Sequence, residues 1–143
     1  MKYSEIKMLF NEMLFPRFEV EDFVESVTEG GEDFEIGNYR FIREDSIDEI
    51  MENELGGDDY MLGCFNAWFI ADVLDIDMDV IEAMQEAEAY SAIGKLVKSM
   101  GKLEDLQKAY ANADGYGHHF NKYDGNQDEL YIGSDTYYYF REN

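Results

Sequence analysis

Apolar residues recur at Ile6, Leu9, Phe10, Met13 and Leu14, the three-and-four spacing of one helix face. That pattern predicts a helix over 4–15, begun by Ser4 and stopped by Pro16. Residues 18–27 place Phe18, Phe23, Val24 and Val27 on one side of a second short helix, although their alternation also allows a strand. Gly30-Gly31 then breaks the chain. Residues 34–43 read as two short strands about Gly37-Asn38, or as one bulged strand.

Ser46-Ile47-Asp48-Glu49 has the form of a capping box, in which the serine hydroxyl accepts from the amide three residues on. The helix it opens should end at Gly56-Gly57. A longer apolar helix over about 59–74 is the candidate buried spine. Asp75 to Asp79 forms a joint, with Asp77 or Asp79 capping a helix that runs to about Tyr90. Gly94 and Gly101 punctuate a stretch carrying Lys95, Lys98 and Lys102, and 103–112 reads as one more helix. From Gly115 the residues turn to Tyr, Phe and Ile with turn signals at Asp124-Gly125-Asn126 and Gly133-Ser134-Asp135, which predicts a three-stranded meander. Helices first and strands last give an α+β fold, with several short helices packed on a small antiparallel sheet. With no repeat and no long linker, 1–143 is expected to be one domain, mainly helical over 1–112 and a β-meander over 115–143.

Composition narrows the function. The 143 residues hold 33 Asp and Glu against 11 Lys and Arg, a net charge of −22, yet ten Phe, eleven Tyr and eight Met are enough to build a core rather than a disordered chain. The single cysteine, Cys64, has no internal partner, which fits a reducing, cytoplasmic setting. No apolar run reaches the roughly 18 residues of a membrane span, and Met1 to Glu5 lacks the apolar stretch of a signal peptide. Direct contact with nucleic acid or an anionic bilayer is disfavoured, because the chain would repel phosphate.

The charge is concentrated. Between Arg43 and Lys95 there is no basic residue, while fifteen carboxylates fall in that interval: Glu44, Asp45, Asp48, Glu49, Glu52, Glu54, Asp58, Asp59, Asp72, Asp75, Asp77, Asp79, Glu82, Glu86 and Glu88. Apolar positions such as Met51, Leu55, Trp68, Ile70 and Ile81 interrupt them, so the charges ride on elements that pack. If helical, Glu44/Asp48, Asp45/Glu49, Asp48/Glu52 and Glu82/Glu86 would each be an unfavourable like-charge pair.

Metal and catalytic readings are weaker. Asp75-x-Asp77-x-Asp79 opens like a calcium loop and Glu86 falls at its twelfth position, but Val80 stands where the loop needs glycine. Asp124-x-Asn126-x-Asp128, with Asp135 twelfth, fails in the same way at Glu129. Helix caps and a hairpin turn account for both, so neither a metal nor a cofactor is expected. His118 and His119 would point to opposite faces of a strand. Cys64 lies in an apolar stretch where a buried thiol is inert. No nucleophile elbow or phosphate-binding loop is present, which argues against an enzyme. The run Tyr137 to Phe140 reads as a strand with two rings in the core and two on the surface.

Fifteen carboxylates equal the charge of roughly seven or eight base pairs of duplex, on a domain on the order of 35–40 Å across. A rigid acidic face of that size suits the basic groove of a nucleic-acid-binding protein, each carboxylate standing in for a phosphate. In size and charge, though in no motif, the chain is similar to the small acidic inhibitors of restriction enzymes and CRISPR effectors carried by phages and mobile elements. The expected partner surface is the fifteen carboxylates, chiefly over 44–59 and 72–88, with Tyr60 and Tyr90 as aromatic anchors. The alternatives are an acidic adaptor that binds a basic protein without mimicry, a divalent-metal protein or enzyme using Asp75 to Asp79 or Asp124 to Asp128, and a surface acidic only for solubility.

Overall fold

A computed structural model of the protein describes residues 17–142, so the helix expected over 4–15, with Ser4 and Pro16, lies outside the described residues. In chain order the elements are α1 (Arg17–Thr28), β1 (Asp33–Ile36), β2 (Tyr39–Arg43), α2 (Ile47–Gly56), α3 (Asp59–Gly63), α4 (Ala67–Leu74), α5 (Met78–Glu86), α6 (Tyr90–Ser99), α7 (Leu103–Asp114), α8 (Gly117–Phe120), β3 (Asp128–Ile132) and β4 (Asp135–Arg141). The fold is α+β. The chain forms two compact units, one built from its two ends, up to Ile47 and from Gly115 onward, and one from its middle, Asp48–Asp114.

In the first unit the sheet is antiparallel with strand order β1-β2-β4-β3. Residues 18–27 are helical because Val20, Phe23, Val24 and Val27 recur at i, i+3, i+4 and i+7. The first three are fully buried against Ile36, Phe41, Leu130, Ile132 and Tyr137. Residues 34–43 form the expected hairpin, turning where Gly37 takes φ +59°. The C-terminal segment departs from expectation, since only β3 and β4 form there. The third place in the sheet belongs to β2, which pairs with β4 from Tyr39↔Arg141 to Arg43↔Tyr137.

Residues 117–120 make a helical turn instead of a strand. A Cβ at Gly117 would run into the carbonyl of Gly125. Asn121 pins the following loop, accepting from the amides of Tyr123 and Asp124 at 2.9 and 3.0 Å and donating to the Asn126 carbonyl at 2.8 Å. His118 and His119 are therefore neighbours on this turn and not on opposite faces of a strand.

The tyrosine run is more buried than the sequence implies. Tyr137, Tyr138 and Phe140 are buried and Tyr139 is half-buried, because β4 is an inner strand covered on both faces. Tyr137 faces Phe34 in the α1 core and donates its hydroxyl to the Gly31 carbonyl at 2.9 Å. On the opposite face, Tyr138 meets Tyr116, and Phe140 meets Phe120 with ring centroids 5.1 Å apart.

The middle unit is entirely helical. The 59–74 helix is two helices, α3 and α4, interrupted at Cys64 to Asn66. Gln85 supplies what the break removes: its Nε2 donates to the carbonyls of Gly63 at 3.0 Å and Phe65 at 2.8 Å. Helix α3 packs against α6 backbone to backbone. A Cβ at Gly63 would strike the Tyr90 carbonyl, and one at Gly94 the Asp59 carbonyl. Gly94 is thus a contact point inside α6 and not a break. Helix α5 stops at Glu86, short of Tyr90, as Glu88 turns into the left-handed region at φ +57°. Helices α2 and α7 occur close to their expected bounds.

Candidate partner-binding surface

Of the fifteen candidate carboxylates, only Glu52 and Asp59 are half-buried, and the other thirteen are exposed. They do not form one class. Glu44 and Asp45 follow β2 in the sheet-bearing unit, and the rest belong to the helical unit.

Several of them have structural work. Asp45 is ion-paired with Arg43 at 2.7 Å, and Arg43 also reaches Glu32 at 2.8 Å. The hydrogen bond from Arg43, assisted by its charge, holds the Asp45 carboxyl below the ordinary carboxylate range. Asp45 also accepts the Ser46 hydroxyl at 3.2 Å. The capping box is not seen as predicted: Ser46 donates its hydroxyl to the preceding aspartate, and among the described residues its oxygen accepts no bond from the Glu49 amide. Asp48 accepts from Gln107 Nε2 at 2.8 Å, tying α2 to α7. Asp58 caps α3 by accepting from the Met61 amide at 3.0 Å. Asp59 has the Lys98 ammonium 2.6 Å from its Oδ1; that oxygen is buried without an aligned hydrogen bond, so the lysine acts as a counter-charge.

The remaining candidates on this side are Glu49, Glu52 and Glu54 of α2. With Glu44 and Asp45 ahead of the helix, Glu44/Asp48 and Asp45/Glu49 are not helical pairs, whereas Asp48/Glu52 is.

Segment 72–88 is different. Asp72 lies on α4, Asp75 closes it at φ +55°, and Asp77 caps α5 by accepting from the Asp79 amide at 3.0 Å. Asp79, Glu82 and Glu86 follow at i, i+3 and i+7 along one exposed side of α5, and Glu88 sits in the turn beyond it. None of these seven carboxylates takes part in an ion pair among the described residues. Along α5, three charges span seven residues, about 10.5 Å at 1.5 Å per residue. That is one charge per roughly 5 Å, against 3.4 Å of axis per phosphate on one strand of a duplex.

Tyr60 and Tyr90 lie side by side: their rings meet edge to face with centroids 5.3 Å apart, and Tyr60 is 58% exposed. The nearby Cys64 sulfur, by charge and hydrogen bonding, raises the Tyr60 hydroxyl pKa. Cys64 itself is exposed just after α3, contrary to the buried thiol expected of an unbroken helix.

The aspartate loops are occupied locally. Asp75 and Asp77 serve helix ends, and Asp124 accepts from the Asn126 amide and side chain at 3.0 and 2.9 Å. Among the described residues no three His, Cys, Asp or Glu side chains converge to hold a metal ion. No described helix is long and apolar enough to cross a membrane.

One feature escaped the sequence reading. Trp68, placed in a buried spine, is 60% exposed at the start of α4. The break at 64–66 that turns it outward has no strong sequence signal beyond Asn66, a common helix-start residue. No protein family, curated protein or solved structure matches the chain.

Proposed function

We propose that this protein is an acidic inhibitor that occupies the basic nucleic-acid groove of another protein, with the carboxylates of 72–88 as its principal phosphate surrogates. The observation that carries this reading is the set of seven exposed carboxylates on and around α4 and α5, none of them ion-paired among the described residues. A helix end needs one capping aspartate, and Asp77 already fills that role for α5. Asp75 closes α4 and Asp79 stands in the first turn of α5, but Asp72, Glu82, Glu86 and Glu88 have no such place at a helix N-terminus and add repulsion that an opposing lysine would relieve. Carboxylates that are exposed and without an ion pair among the described residues are ready to accept arginine and lysine donors from a partner. Asp45 and Asp59 are weaker surrogates, because each already has a cation of its own. A phage or mobile-element inhibitor of a restriction enzyme or CRISPR effector is the biological setting this chemistry fits.

The test is competition at fixed ionic strength. The immobilised protein is loaded with bacterial lysate at low salt, then washed with a short DNA duplex or an RNA, each balanced by sodium chloride in a parallel wash. Release of a nucleic-acid-binding protein by the polymer and not by the matched salt is expected. Its capture should fall at least about tenfold when Asp79, Glu82 and Glu86 become Asn, Gln and Gln, since three charged contacts are lost. Equal capture by that variant would overturn the assignment to 72–88.

A further inference from the structure

The exposed Trp68 forms one wall of a small aromatic niche inside the helical unit. Phe65, Asn66, Trp68, Phe69, Tyr110, Ala113 and Asp114 enclose about 100 Å³. The rings are set at angles to one another: Phe65 and Tyr110 meet at 72° with centroids 4.9 Å apart, Trp68 and Phe69 at 88° and 6.0 Å, and Phe65 and Phe69 at 37° and 5.4 Å. Small-molecule pockets typically hold about 300–1,000 Å³. This one matches about three water volumes at roughly 30 Å³ each, so it suits the head of one side chain and not a substrate.

Its electrostatics favour a cation. Ring faces are negative, and they attract guanidinium and ammonium groups. The Asp114 carboxylate stands at the edge of the niche, close enough that, after burial, it helps push the Tyr110 hydroxyl up to about 12. The niche also lies at the C-terminal turn of the twelve-residue α7, where backbone carbonyls point outward and the helix itself places no basic residue in that turn. The N-terminus of α4 at Asn66 opposes this with about half a positive charge, which Asp114 outweighs. A nucleobase would also stack on aromatic rings, but a helical unit of sixteen carboxylates and four lysines repels its phosphates.

We propose that this niche is a cation-binding site that receives one arginine side chain of the basic partner protein. Guanidinium is planar, weakly hydrated and stacks on aromatic faces while its edge donates to a carboxylate, here Asp114. The source of the arginine rests on the inhibitor reading above; the cation preference of the niche does not.

The test uses the one tryptophan of the chain as reporter. Emission of Trp68 is followed while the intact protein is titrated with N-acetyl-arginine amide, with N-acetyl-citrulline amide as the uncharged counterpart and sodium chloride at matched ionic strength. A saturable change with arginine at millimolar concentration, and binding about fivefold weaker or more with citrulline, is expected. Asp114→Asn, at an exposed helix end, should weaken arginine binding about threefold without unfolding the protein. Equal response to arginine and citrulline, or no effect of Asp114→Asn, would overturn the proposal. An arginine-selective niche in a protein that captures no nucleic-acid-binding partner would keep this site and remove the inhibitor reading. The reverse pattern would remove the site and keep the inhibitor.

Discussion

The β1–β2 hairpin and the α4–α5 segment treat their carboxylates in opposite ways. On the hairpin, Arg40 lays its fork on Asp33, donating from Nε at 2.8 Å and from a terminal nitrogen at 2.7 Å, and stands 5.0 Å from the Phe120 ring. Arg43 serves both Asp45 and Glu32. Across 72–88 seven carboxylates are exposed without an ion pair among the described residues. The chain therefore pairs acids where the pairing fixes a sheet edge and leaves a whole segment uncompensated elsewhere. Three lysines that follow the segment serve other acids, Lys98, Lys102 and Lys108 being paired to Asp59, Asp105 and Glu104. So sharp a division favours the proposed recognition surface over a surplus kept for hydration alone.

If packing alone holds the acidic unit against its own repulsion, disturbing that packing should have the largest effect. Gly94→Ala drives a methyl group into the Asp59 carbonyl, backbone against backbone, where no flexible side chain can move aside. Overpacking at such a contact should cost about 3 kcal/mol or more. The check is the urea midpoint of the variant beside that of Ser91→Ala, an exposed change in the same helix. A loss within 0.5 kcal/mol of the control, roughly the noise of surface substitutions, would mean the α3–α6 crossing is not where the unit is held.

The next effect sharpens the other side of the comparison. Arg40→Met keeps much of the apolar stem while removing the fork over Asp33, which would then lie uncompensated beside the sheet. Arg40 is only 17% exposed and Asp33 32%, so the loss should be about 1–2 kcal/mol, above that of a fully solvated pair. Thermal unfolding measures it directly.

Removing charge from α5 should act with the opposite sign. Glu82→Gln/Glu86→Gln relieves one i,i+4 repulsion and takes a negative charge away from a helix C-terminus. Stability should rise by about 0.5–1 kcal/mol, and the gain should shrink in 0.5 M sodium chloride, where screening already relieves the wild type. A loss of stability on neutralising this pair would break the contrast between the regions, since these acids would then be serving the fold.

Much of this architecture was readable from hydrophobic spacing. Phe23, Val24 and Val27 pointed to a helix at α1 while still allowing a strand, and Val20 in the same stripe was seen only in the structure; Gly37-Asn38 marked the first hairpin, and Gly56-Gly57 ended α2 close to where expected. What failed were features decided by partners far along the chain. The break between α3 and α4 depends on Gln85, twenty or more residues away, accepting the role of hydrogen-bond donor to Gly63 and Phe65. The third strand of the C-terminal sheet is β2, more than ninety residues from β4, and local tyrosine content carries no trace of that pairing. For the candidate surface, the clustering of acids was visible at once. Which of them are already engaged was not, because Arg43 with Asp45, Lys98 with Asp59 and Gln107 with Asp48 are tertiary choices. Trp68 illustrates the same limit: its apolar neighbours mark a core helix, and only the break ahead of α4 turns it out to solvent.

The smallest effect separates two acids of the sheet unit by pH. Asp45 is held below its ordinary value of 3.8 by Arg43, so its contribution is present above that value and is lost as pH falls through the lower folded-state pKa. Glu142 is raised above 4.5, first by burial and then by its neighbour Glu35, with Arg40 and Lys122 pulling the other way. Its charged form therefore costs stability above the folded-state pKa. Protonation relieves that cost as pH falls through it, and the gain is complete below 4.5. Between pH 7 and 4.5 the wild type should accordingly gain stability from this site, while Glu142→Gln, neutral throughout, should lack that part of the rise. The readout is the difference in Tm between the two proteins across that range. It should narrow steadily with acidification, from the variant being the more stable at pH 7 toward equality near pH 4.5. A difference that stays constant would mean that Glu142 titrates as freely as a solvated carboxylate. The crowding of Glu35 and Glu142 at the sheet would then carry no energetic weight, leaving α5 as the better place to look for repulsion that the fold has to bear.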